Sequence, residues 1–104
     1  LTGVYIMIVS ITFKNNYGAV PYSAASIVSE HTDIKNALED AFSKTQNVFC
    51  SWSEKPASGV TVCHHNFDGT PLRSSMVGDE FTVFDAHGTP TKYEVARLGF
   101  KELV

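Results

Sequence analysis

The chain has 104 residues, is 43% apolar and 18% charged, and carries a formal charge of −3; this excludes a disordered or low-complexity chain and fits one globular domain over residues 1–104. Its eight Lys and Arg are scattered from Lys14 to Lys101 with no basic run. That argues against a nucleic-acid surface, which concentrates positive charge to displace counterions.

The opening LTGVYIMIVSITF is apolar, yet it lacks the basic start and small-residue cleavage site of a secretory signal and is too short to span a bilayer. It predicts a strand and no membrane association. Met7 lies inside it, so one reading makes residues 1–6 an extension upstream of a start at Met7. Val4 to Phe13 is rich in β-branched and aromatic side chains and ends at the turn cluster KNNYG. Alternation puts Ile6 and Ile8 on one face and Tyr5, Met7, Val9, Ile11 and Phe13 on the other, so both faces call for cover.

From Ser23 to Lys44 the pattern turns helical. Ile34, Ala37, Leu38, Ala41 and Phe42 fall at i, i+3, i+4, i+7 and i+8, one apolar stripe with Lys35, Asn36, Glu39, Asp40 and Ser43 opposite. Thr32 offers an N-cap, and Asp33 would sit in the first turn, where the helix dipole favours a negative charge. Ile27, Val28 and His31 continue the stripe backwards. The pattern therefore admits one long helix from about Ser23, with Pro21 near its start, or two shorter ones.

The remainder reads as two hairpins: Asn47 to Ser53 with Gly59 to Phe67 across EKPAS, and Asp79 to Asp85 with Thr91 to Phe100 across AHGTP. The expected fold is α+β, a single small domain in β-α-β-β-β-β order. Its sheet is largely antiparallel, open or curled toward a barrel, with one main amphipathic helix. Two turns share their chemistry, FDGTP at Phe67 to Pro71 and FDAHGTP at Phe84 to Pro90. In each, an Asp can cap the turn and a Gly can take positive φ.

The first hairpin holds the densest cluster of reactive side chains, VTVCHHNFDG. Pairing Val48 with His64, Cys50 with Val62 and Trp52 with Val60 makes one face almost wholly apolar, and register follows the buried face. That pairing sends Cys63 and His65 to the side of Phe49 and Phe67, turns His64 toward Trp52, and keeps Cys50 from bridging Cys63. Zinc needs about four converging ligands. Cys63 and His65 could provide two, with the others drawn from His31, His87 or a carboxylate. As a nucleophile, Cys63 sits mid-strand, and His64 beside it in the sequence points to the other face, so adjacency does not make the two a dyad. Glu39 with Asp40, and Asp79 with Glu80, read as solvated carboxylates, and the dispersed glycines form no phosphate loop. Tyr17 and Tyr22 bracket GAVP, and with Trp52 they offer large contact area with a polar handle.

One helix covers one sheet face, while the first strand is apolar on two. The leading expectation is therefore a non-catalytic interaction or small-ligand-binding protein, homo-oligomeric through an apolar sheet face. The candidate binding or interface residues are Phe49, Cys63, His65, Phe67, Tyr17, Tyr22 and Trp52. The expected partners are a second copy, another protein or a small apolar ligand, with no cofactor. Two cysteines allow at most one disulfide, which points to a reducing, cytoplasmic setting. The alternative is a small metal-binding or Cys/His-dependent enzyme using Cys63 and His65.

Overall fold

The structure, a computed structural model, describes residues 6–14 and 18–104. Strand β1 (Met7–Phe13) alternates strictly, with Met7, Val9, Ile11 and Phe13 buried. The start expected at Val4 falls among residues outside the described ones, as do Tyr5, Tyr17 and most of the KNNYG cluster. The other described elements are β2 (Tyr22–Ser29), α1 (Ile34–Lys44), β3 (Val60–Val62), β4 (Glu80–Phe84), β5 (Pro90–Val95) and β6 (Phe100–Glu102). All six strands join one antiparallel sheet in the order β3-β2-β1-β4-β5-β6. The fold is thus α+β with one helix and an open sheet, not a barrel.

The element order is β-β-α-β-β-β-β rather than β-α-β-β-β-β, because Tyr22–Ser29 is a strand and not the start of a helix. Its Ala, Ser, Ile and Val fit either period, but two-residue alternation brings Ala25, Ile27 and Ser29 to the core. Pairing with β2 also satisfies the backbone along one side of β1. A bulge completes the fit: Ile11 pairs with Ala25 and Thr12 with Ser23, so Ala24 is the extra residue, and both alanines are buried.

Helix α1 carries the anticipated stripe, with Ala37, Leu38 and Ala41 buried and Ile34 and Phe42 packed at its margins. Its N-cap is Asp33, one residue later than Thr32. The Asp33 carboxylate accepts from the Lys35 N–H at 3.3 Å. At the other end the Thr45 hydroxyl donates to Ala41 O at 2.9 Å, closing off a carbonyl that the helix leaves unpaired.

The first expected hairpin does not form. β3 pairs with β2, Ile27 opposite Val60 and Ala25 opposite Val62, so its register follows the core side of β2. Residues 45–53 are instead laced to residues 72–75 by side chains. Asn47 donates to Leu72 O at 3.0 Å, Gln46 donates to Ser75 O at 3.0 Å, and the Trp52 indole donates to Arg73 O at 2.7 Å. Gly59 sets the entry to β3. It holds φ +84°, accepts from the Val28 N–H at 3.0 Å, and an added Cβ would lie 2.9 Å from Val28 O.

The second hairpin forms as expected between β4 and β5. The single strand expected over Thr91 to Phe100 breaks at a turn after Val95, and β6 folds back so that Phe100 pairs with Val95. Both look-alike turns are Asp-capped with a glycine at φ +77°. Asp68 accepts from the Thr70 N–H at 3.1 Å, and Asp85 accepts from the Thr89 N–H at 2.9 Å.

Candidate functional site

Among the described residues, the sequence-predicted ones do not converge, and Tyr17 lies outside them. Phe49 and Phe67 lie fully exposed in separate loops, and Cys63 and His65 are exposed beyond the end of β3. Without the expected hairpin, Phe49 has no register with Cys63 or Phe67. The Cys63 thiol meets Thr61 O at 3.6 Å, and neither cysteine is disulfide-bonded. Trp52 is buried in the core, its ring edge-on to Phe13. Among the described residues no three His, Cys, Asp or Glu side chains gather as a metal would require. Nor, among them, is any helix long and apolar enough to cross a membrane.

Tyr22 is half-buried and stacks against His64, the ring centroids 3.8 Å apart and the planes 20° off parallel. His64 is therefore on the covered side of the sheet, apart from its exposed neighbours Cys63 and His65. The pair borders a groove of about 470 Å³ with Val20, Pro71 and Arg73. Burial pushes the Tyr22 phenol above its ordinary value; the Arg73 charge draws it down and the Asp79 charge raises it further.

Beneath this groove lies a feature that the sequence reading missed. Asp79, expected to be solvated with Glu80, is fully buried. Its two oxygens take a bidentate grip from Arg73 at 2.7 and 2.8 Å and accept the Lys14 and Met76 N–H groups at 2.9 Å each. The Arg73 guanidinium also lies over the Phe13 ring at 4.1 Å. The arrangement ties the loop before β4 to the end of β1, and it is satisfied within the fold. The only hint in the sequence was an Asp at the mouth of a strand with an Arg six residues earlier, a spacing with no fixed meaning.

Among the described residues, no helix or strand covers the other side of the sheet. There Ile8 stands between Val28 and Phe84 on the neighbouring strands. Ile6, Ile8 and Val28 are 46%, 42% and 46% exposed. Two residues along the strands comes a hydroxyl row in which Ser10 stands between Ser26 and Thr82, with Thr61 outside Ser26. The third row is Ser23, Thr12 and Glu80, followed by Glu94 and Lys101. Glu80 meets Lys14 at 3.4 Å and Lys92 at 3.6 Å. This surface can exclude water along one row and exchange hydrogen bonds along the next.

Comparison with protein-family models, with curated proteins and with solved structures finds no match.

Proposed function

We propose that the protein is a non-catalytic interaction protein that associates with a second copy of itself through the open sheet face. The observation that carries this reading is the cross-strand row Val28, Ile8 and Phe84 with Ile6 beside it, apolar side chains aligned on the face that α1 does not cover. Their alignment matters more than their number, since scattered exposed apolar residues are ordinary on any protein surface. The low cysteine content, two in 104 residues, supports a reducing, cytoplasmic setting for it.

Sedimentation velocity over rising concentration tests the reading. The wild-type mass should climb from 11.4 kDa toward twice that value, while Ile8→Lys, with an unchanged thermal melt, should stay monomeric. A wild-type chain that remains monomeric up to the millimolar range overturns it.

A further inference from the structure

We infer that the two copies stack open face to open face about a two-fold axis parallel to β1, an arrangement that rests on the self-association reading above. Charge on this face is one-sided. Glu80, Lys92, Glu94 and Lys101 all lie on the β4–β5–β6 half, and Lys14 at the end of β1 leans toward that half to meet Glu80 at 3.4 Å, whereas the β2 and β3 half presents Val28, Ser26, Ser23 and Thr61. Rotation about β1 exchanges the halves. Ile8 then meets Ile8, Val28 of one copy covers Phe84 of the other, and Glu80 falls over Ser23, so that no carboxylate opposes another. An axis across the strands through Ser10 would instead set Phe84 against Glu80, leaving a carboxylate over an aromatic ring and the apolar rows apart.

Edge pairing offers a poorer contact, because both outer strands, β3 and β6, are three residues long. Face stacking about a two-fold axis also closes on itself and stops at the dimer. With β5 of one copy over the short β3 of the other, the strands from β3 to β5, about 4.8 Å apart, and three rows of side chains present a patch roughly 20 Å square. Counted on both copies that is about 800 Å², less than permanent complexes bury, so the dimer is weak and reversible. Sheets stacked this way cross at about 30°, which splays the corners and leaves Lys101 in water.

Site-specific cross-linking tests the axis in a Cys50→Ser, Cys63→Ser background. Stacked sheets stand about 10 Å apart, too far for a disulfide, so a short bis-maleimide is the probe. A mixture of Val28→Cys and Phe84→Cys chains should give several-fold more covalent dimer than either chain alone. Preferential self-linking of Val28→Cys overturns the axis, as does the absence of enrichment in a mixture that still sediments as a dimer. A mixture that sediments only as monomer overturns the self-association reading instead. Circular dichroism of each variant confirms that it is folded before linking.

Discussion

Asp79 and Glu80 are neighbours in sequence and opposites in setting. Asp79 turns toward the covered side, where Arg73 and two backbone N–H groups saturate its carboxylate out of water. Glu80 turns to the open side, where the solvent-exposed side chains of Lys14 and Lys92 lean over it at 3.4 and 3.6 Å. The contrast runs the length of β1 as well, with Ile11 fully buried and Ile8 42% exposed on the reverse side. One strand thus has two settings: its covered face holds the fold, and its open face carries side chains that no described helix or strand covers.

If that division is right, substitutions on the two faces have separable effects. Asp79→Ala leaves the Arg73 guanidinium without its carboxylate partner and should cost about 3–5 kcal/mol in denaturant unfolding, whereas Glu80→Ala should cost at most about 1 kcal/mol. Equal losses would erase the distinction between the faces. Ile11→Ala should cost about 2–5 kcal/mol through the cavity it leaves. Ser10→Ala, its neighbour on the open side, should stay within about 0.5 kcal/mol by the same measurement.

The smallest effect concerns the turn that carries Phe84 and Pro90, the far end of the apolar row. The Thr89 N–H, and after it the His87 N–H, hold the Asp85 carboxyl below the ordinary carboxylate range. A depressed folded-state value stabilises the protein above the unfolded value of about 3.9 and loses that contribution as pH falls through the folded value. Asp85→Asn should therefore lower the melting temperature slightly at neutral pH. The difference from wild type should vanish in strong acid, and a difference that persists there would show that the cap acts through shape and not charge.

What the sequence revealed depended on how local the cause was. The stripe Ile34, Ala37, Leu38, Ala41 and Phe42 and the β4–β5 hairpin are set by periodicity and turn chemistry within a dozen residues, and both formed. Tyr22–Ser29 was ambiguous because its small and β-branched residues satisfy two periods at once; its partners on β1 and β3 decided the matter. The Asn47 to Ser53 segment reads as one arm of a hairpin because the nearest strand in sequence lies just beyond it. Its true partners are backbone and hydroxyl groups of residues 72–75, reached by the Gln46, Asn47 and Trp52 side chains and the Asn47 N–H, and such lacing leaves no periodic trace. The apolar second face of β1 was legible at Ile6 and Ile8. Its continuation through Val28 and Phe84 needed the register, and the Arg73–Asp79 pair needed the loop path.

The pairing of Ile8 with Phe84 also has a bearing on how the chain assembles. β1 acquires β2 from the next segment of sequence, but its other neighbour arrives only after the helix, β3 and the long loops have been made. A ribosome that has released the chain through α1 has delivered a two-stranded ribbon and its helix, with one flank of β1 bare. Closing that flank requires a contact of long sequence separation, the kind that slows folding. Until β4 docks, the strand at the centre of the mature sheet is an edge, and this is when the chain is most open to pairing with the wrong partner.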